Sequence, residues 1–431
     1  MKPQIIKAVR GMQDIFPDEA ARWVSLEALA RDVSDRYGFG EIRIPLVEST
    51  PLFVRGIGRE TDIVEKEMFS FSDAGGKELS LRPEGTAGVV RAYLEHGVYA
   101  RQPVSRFFYL GPMFRRERPQ AGRRRQFHQY GVEVLGEGAP ELDVEVMDLL
   151  ELFLSVVGVK GTILAVNSVG CSACREPYRV QLQQWLMERK ERLCENCRRR
   201  LSRNPLRVLD CKNPDCRESL ADSPVLLDYV CPDCRSHHER VIAGLKSLGL
   251  PFREESRLVR GLDYYTRTVF EVYSSDLGAQ DALAAGGRYD GLVEELGGPP
   301  TPAVGFSVGL ERLLICLEGK EMPAPSPLMP SVYCVGLDAE STSANFLLAA
   351  RLRRLGLGVR LDHSGRSLKS QLREANRLGV DFVLIRGQEE LEAGTVKLKD
   401  MREGGEVSLP ASPDEIGVRL SGGGPIEARS V

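Results

Sequence analysis

Residues 106–135 read RFFYLGPMF, RRERPQAGRRRQ and FHQYGVEVL in succession. The outer blocks, 106–114 and 127–135, are dense in aromatic and β-branched residues, which favour strands. The middle block, 115–126, is too polar and too charged to pack. This predicts two antiparallel strands joined by a long basic loop. Between positions 101 and 125 stand Arg101, Arg106, Arg115, Arg116, Arg118, Arg123, Arg124 and Arg125, against the single Glu117. The bland reading is a solvated charge run. A solvated face, however, normally mixes signs and uses lysine. Arginine hung between two strands suits bidentate grips on phosphate oxygens, and Arg115 falls at the strand end, where a rigid element would hold its fork. A nucleoside triphosphate, an RNA backbone or both are the natural ligands.

Working outward, a helix is predicted over 17–37, with Trp23, Leu26, Leu29, Val33 and Tyr37 on one stripe, Pro17 near its start and Gly38 after its end. A strand-like run at 41–48 carries Pro45, which suggests an edge or a bulge. Residues 67–71 and 78–81 read as a hairpin, 84–96 and 140–157 as helices. Strands return at 258–274 and 283–291, and 302–310 leads into a helix ending near Leu317. The fold class is α+β: an antiparallel sheet with helices, spanning 1–322, interrupted by a cysteine-rich insertion at 170–252. Residues 323–330 are proline-rich and read as a stiff linker. Strand–helix alternation over 331–422 predicts a small α/β domain with a largely parallel sheet and a terminal hairpin.

The chain has 431 residues, a net charge of −3, 42% hydrophobic and 28% charged residues. That length exceeds one core, so two or three domains are expected. The composition excludes a disordered chain or a fibrous repeat. No stretch approaches the roughly 20 apolar residues of a spanning helix, and the first residues lack the apolar segment of a secretory signal. A cytoplasmic protein is expected.

Three further clusters accompany the basic loop: Arg260-Gly-Leu-Asp-Tyr-Tyr-Thr-Arg267, Ala285-Gly-Gly-Arg-Tyr-Asp-Gly291 and Gly305-Phe-Ser-Val-Gly-Leu-Glu-Arg312. Adjacent tyrosines on a strand point to opposite faces, so one of Tyr264 and Tyr265 can be core while the other lines a pocket. Each cluster alone is a weak signal.

Together they are specific. Phe114-Arg-x-Glu117, the loop and Phe127, and Gly309-Leu-Glu-Arg312 resemble motifs 2 and 3 of class II aminoacyl-tRNA synthetases; residues 42–47 (IRIPLV) resemble motif 1. Arg10-Gly-Met-Gln-Asp14, Leu81-Arg-Pro-Glu-Gly-Thr86, RGLDYY at 260–265 and AGGRYD at 285–290 are similar to the histidyl-tRNA synthetase family. The resemblance spans nearly the whole chain. It implies a class II catalytic domain, a C-terminal anticodon-binding domain, a homodimer, and ligation of L-histidine to tRNA(His) through histidyl-adenylate. Arg115 would bind the α-phosphate of ATP, Glu117 the adenine amino group and Phe127 the base, with Arg312 against adenine and γ-phosphate. Glu84, Gly85, Thr86 and Gln129 would surround the histidine amino group. Glu133 and Tyr265 would take the two ring nitrogens, beside Tyr264 and Tyr289, and Arg260 would contact carboxylate and α-phosphate. A neutral imidazole offers one donor and one acceptor, which a carboxylate and a tyrosyl hydroxyl can match. Mg2+ is expected on the outer phosphates. The rival reading is a catalytically silent, synthetase-like regulatory subunit of histidine biosynthesis.

Eight of the ten cysteines form four close pairs: Cys171/Cys174, Cys194/Cys197, Cys211/Cys216 and Cys231/Cys234. They could complete two structural zinc sites of four thiolates each, with the pairing left open. His237 and His238 are spare candidates that read as surface residues. The basic content of the block, such as Arg198–Arg200, suggests contact with the tRNA acceptor arm. Because the named catalytic residues lie outside it, chelation is expected to weaken tRNA charging more than adenylate formation. In the C-terminal domain, Arg351, Arg353, Arg354, Arg360, Arg366 and Lys369 are candidate phosphate contacts.

Overall fold

The structure is a computed structural model that describes residues 5–118, 122–211, 213–280, 282–320 and 331–420. The expected linker at 323–330 and residues 421–422 lie outside the described residues. In chain order the strands are β1 Gly40–Glu41, β2 Val47–Ser49, β3 Phe69–Ser72, β4 Glu78–Leu81, β5 Ser105–Phe114, β6 Gln126–Leu135, β7 Thr162–Ser168, β8 Phe252–Glu254, β9 Thr266–Ser274, β10 Ala282–Arg288, β11 Ala303–Gly309, β12 Ser331–Gly336, β13 Gly358–Leu361, β14 Phe382–Arg386, β15 Thr395–Asp400 and β16 Glu406–Pro410.

Eight strands form the main sheet in the order β1-β5-β6-β11-β10-β9-β7-β8. Its centre is antiparallel, and the two edge pairs, β1 with β5 and β7 with β8, are parallel. The run at 41–48 is split into β1 and β2 around Pro45, which has no N–H to give a ladder. β2, β4 and β3 make a separate three-stranded sheet. Its hairpin turns on Asp73, whose Oδ1 accepts from the backbone N–H groups of Gly75 and Lys77, both at 2.8 Å.

Period-two alternation decides which face of the main sheet is core. Tyr130, Val132 and Val134 of β6, with Val304, Phe306 and Val308 of β11, are buried against helices Pro17–Arg36 and Pro140–Val157. The second helix starts with proline in its first turn, carries Glu141 and Asp143 there, and ends on Gly158 in the left-handed region. The intervening residues, Gln129, Glu133 and Ser307, face a cavity on the opposite side.

The cysteine-rich stretch folds as helices Ser172–Met187, Glu195–Arg203, Pro214–Ser219 and Pro232–Leu248. The last packs on Pro140–Val157, where a Cβ on Gly244 would stand 2.9 Å from Val144. His237 and His238 are buried, contrary to the surface reading. His237 Nε2 lies 2.7 Å from Asp143 Oδ2, which also accepts from Thr268 Oγ1 at 2.6 Å, while Arg288 Nε lies 2.7 Å from Asp143 Oδ1. This buried network occupies both carboxylate oxygens.

The C-terminal sheet runs β13-β12-β14-β15-β16. β13, β12 and β14 are parallel and the rest antiparallel, so the sheet is mixed rather than largely parallel. Two arginines read as phosphate contacts tie this sheet to the N-terminal body instead. Arg353 is fully buried, stacks over Tyr37 at 4.0 Å and donates to Val359 O, beside Glu145; Arg354 bonds Asp148. Arg106 and His363 share the same Glu145. Arg366 is paired with Asp362, whereas Arg351 and Lys369 are exposed.

Candidate active site

The cavity above the main sheet has a volume of about 370 Å³. One part of it is acidic and tyrosine-lined. Thr86 opens helix Thr86–Glu95, and the Glu84 carboxylate accepts from the backbone N–H groups of Thr86 and Ala87 at 2.7 and 2.9 Å. Burial raises the Glu84 pKa, although those two donors oppose it. Glu133, on the cavity face of β6, accepts from Thr86 Oγ1 at 2.6 Å and from the Tyr289 hydroxyl at 2.5 Å. Burial pushes its carboxyl up to about 8 against those hydrogen bonds. Room for it comes from Gly305, where a Cβ would lie 2.1 Å from Glu133 Oε2. Gly131 and Gly85 likewise make space for the buried Tyr109, since a Cβ on either would meet its ring at 2.3 Å.

Tyr264 and Tyr265 do not alternate across a sheet as expected. They precede β9, both are buried, and both border the cavity. Their rings are 4.8 Å apart, and Tyr264 meets Tyr289 edge-on at 5.7 Å. Gln129 donates to Ser307 Oγ at 3.3 Å, while its buried Oε1 has no partner among the described residues. That oxygen is an acceptor awaiting a donor.

The other lining is cationic. Arg115 donates Nε to Pro83 O at 2.8 Å and stands over the Phe127 ring at 5.2 Å. Glu117 lies 3.9 Å from Arg115 and 2.9 Å from Arg123. Arg312 donates Nε to Gly122 O at 3.2 Å and also bonds Ala282 O. Burial and the nearby Arg123 lower its pKa. Arg260 is paired with Glu271 at 2.9 Å and lies 5.9 Å from the Tyr265 ring. Burial opposes its charge, but Glu271 and Tyr265 outweigh that and raise its pKa. Arginines that converge on one buried space repel one another until an anion enters.

All of Glu84, Thr86, Arg115, Glu117, Phe127, Gln129, Glu133, Arg260, Tyr264, Tyr265, Tyr289 and Arg312 therefore border one cavity. The sequence reading missed Tyr109, Glu271, Asp62, Arg207 and Asp210, which border it too. Strand alternation could have found Tyr109 and Glu271; the others come from short helical turns and a loop too brief to carry a periodic signal. The histidyl-tRNA synthetase family model matches residues 11–174 and 227–313. The chain belongs to the histidyl-tRNA synthetase family. An anticodon-binding domain model matches residues 333–414, the mixed C-terminal sheet with its helices. The histidine–tRNA ligase of Maridesulfovibrio salexigens is 48% identical over 93% of this chain and 97% of its own length. That of Geobacter sulfurreducens is 46% identical over 97% and 100%. The apo structure of Staphylococcus aureus histidyl-tRNA synthetase is 33% identical, with a TM-score of 0.61 over 97% of this chain and 99% of that one. Such synthetases share the α+β catalytic architecture found here.

The eight paired cysteines resolve into two groups. Cys171, Cys174, Cys231 and Cys234 form one, and Cys194, Cys197, Cys211 and Cys216 the other, with all sulfurs of a group within 4.8 Å of each other. The histidines belong to neither. Backbone N–H groups of Cys194 and Cys231 point at Cys216 and Cys174 sulfurs at 3.0 and 3.1 Å. Sulfurs 3.5 Å apart at Cys171/Cys174 and 3.9 Å at Cys194/Cys211 are free thiols, not disulfides.

Proposed function

We propose that this chain joins L-histidine to tRNA(His) in two steps within this cavity. The histidine carboxylate attacks the α-phosphorus of ATP, releasing pyrophosphate, and the terminal ribose hydroxyl of the tRNA then takes the histidyl group and releases AMP. The observation that carries the reading is the shared cavity: a buried acidic group among tyrosines beside convergent arginines. Glu133 and Tyr265 recognise the ring nitrogens. Glu84, Gly85, Thr86 and Gln129 receive the amino group, for which the unpartnered Gln129 Oε1 is ready. Phe127 stacks on adenine, Glu117 accepts from its amino group, and Arg312 covers base and γ-phosphate.

Negative charge grows on the non-bridging oxygens as the carboxylate attacks. Arg115 and Arg260, fixed by Pro83 O and Glu271, stabilise it without reorganising. Mg2+ enters with the triphosphate as part of the substrate. No protein nucleophile is required. The silent regulatory reading is disfavoured by the matched anticodon domain and by the intact set around the cavity. Exchange of labelled pyrophosphate into ATP, dependent on histidine, tests the assignment.

The finer partners follow the same reading. The exposed Leu46 and Val47 close the motif 1 segment, and the exposed Phe71 lies on β3 of the small sheet that β2 joins; together they suit a homodimer contact. The exposed Arg351 and Lys369 suit the tRNA backbone. No described helix is long and apolar enough to cross a membrane. Sulfurs of a tetrahedral zinc thiolate site stand about 3.8 Å apart, close to the spacing in both cysteine groups. Native mass spectrometry of protein purified without chelator is expected to show a dimer with two zinc ions per chain. A metal-free monomer with eight titratable thiols would contradict both assignments.

A further inference from the structure

The segment carrying Arg260, Tyr264 and Tyr265 belongs to no strand or helix, so its shape must be imposed from outside. The cysteine-rich stretch does this. Arg175, directly after Cys174, donates Nη1 to the carbonyls of Asp263 and Tyr265 at 3.3 and 3.0 Å. Asn204 Nδ2 donates to Asp263 Oδ1 at 3.1 Å. Arg207, between Cys197 and Cys211, packs its guanidinium on Gly261, where a Cβ would stand 2.8 Å from Nη1. Its Nη2 reaches Asp62 at 3.1 Å, and Arg200 grips the same Asp62 oxygen at 2.5 Å. Burial alone would raise the Asp62 pKa, but these two arginines hold it low. Arg207 is itself at the cavity wall with Asp210, and its side chain is 8% exposed. Residues 175–226, which include all of these but Asp62 and the 260–265 loop, lie outside the part the family model matches.

We propose that the cysteine-rich stretch is a positioning element for adenylate formation: its two four-cysteine groups fix Arg175 and Arg207, which hold the 260–265 loop and so place Arg260 and Tyr265. A block with short helices and little core of its own takes its rigidity from cross-links such as a bound metal. Charged donors on loop carbonyls are strong, directional bonds. A catalytic group displaced by an ångström loses on the order of 100-fold in rate. Loosening either cysteine group therefore reaches the first chemical step, which replaces the expectation that this block serves mainly tRNA charging. The proposal rests on the histidine-ligase reading, and its metal arm alone rests on the zinc assignment.

The test uses the full-length chain with Arg175→Ala, Arg207→Ala, Arg207→Lys and, as control, Arg240→Ala, whose exposed side chain pairs with Glu141 on the protein surface. Pyrophosphate exchange and tRNA charging are measured on each, with thermal unfolding as a check. Both loop-holding alanine variants should lose about 30-fold in exchange kcat/KM for histidine, with histidine KM moving more than ATP KM. Arg207→Lys should recover part of the loss, and Arg240→Ala should match wild type. Wild-type exchange in Arg175→Ala and Arg207→Ala, with charging alone reduced, would overturn the proposal. Should those variants not fold, metal is stripped from wild type with a mercurial and chelator. Exchange should then fall in step with metal released and return with zinc; full exchange in stripped protein would overturn it. Protein found metal-free as purified would sink the zinc assignment while leaving the arginine arms to be decided by the variants.

Discussion

Replacing Arg260 by alanine is expected to lower kcat for histidine-dependent pyrophosphate exchange about 1000-fold, the upper range for losing one preorganised transition-state donor. The guanidinium is held against Glu271 at 2.9 Å in the same cavity as Arg115, so it meets the α-phosphate where charge grows during attack. Its pKa is raised, so it stays cationic at every working pH. Glu271 keeps a bond from the Tyr273 hydroxyl at 2.8 Å, which limits the damage to the fold when the arginine is removed. Arg260→Lys should recover only part of the rate, because an ammonium is a point charge without the planar fork. Thermal unfolding measured alongside separates lost chemistry from lost protein. Exchange within about threefold of wild type in Arg260→Ala would remove this residue from the first step.

Glu133→Gln carries the second large effect, on specificity and on pH. An oxygen of the Glu133 carboxyl group is the acceptor proposed for the imidazole N–H, and a site whose buried polar groups lose their match discriminates poorly. Exchange kcat/KM for histidine should fall about 100-fold, chiefly through KM. The same variant changes stability. Glu133 titrates near 8 in the fold, above its value in an unfolded chain, so the folded state binds more protons between those two values. The contribution of Glu133 to stability is therefore fully present below the unfolded pKa and is lost as pH rises through about 8. Glutamine cannot ionise, so the variant should show a flatter dependence of unfolding free energy on pH between 5 and 8, read by urea titration at each pH. An unchanged slope together with an unchanged histidine KM would contradict the placement of this residue.

The strands beside the arginine loop and the long core helix were legible because period-two and period-3.6 patterns write burial directly into sequence. Residues 140–157 are helical just as the pattern predicts, and β5 and β6 differ from their expected bounds by one residue each. The tyrosine pair was misread because alternation applies only inside a strand, and Tyr264 and Tyr265 stand just before β9. Arg353 was misread for a related reason. Charge in a sequence does not say whether a guanidinium is solvated or buried against a carboxylate such as Glu145, 3.5 Å away. The same holds for His237, whose partner Asp143 is 94 positions away. Cysteine spacing announced pairs but not their combination, which joins the first pair with the last and leaves the middle two together. The contribution of Arg207 was invisible, since an arginine in the four-residue 3-10 helix Pro205–Val208 has no pattern that points to a cavity wall.

The most direct measurement of the central claim is pyrophosphate exchange run with each standard amino acid in turn, at equal enzyme, ATP and magnesium. Histidine alone is expected to support strong exchange, and histidinol, which lacks the attacking carboxylate, is expected to compete without reacting. Selectivity should reach about 10⁴-fold, because the buried Glu133 and Tyr265 are left unmatched by side chains without two ring nitrogens. Exchange with proline or threonine equal to that with histidine, or no exchange with any amino acid, would contradict the account.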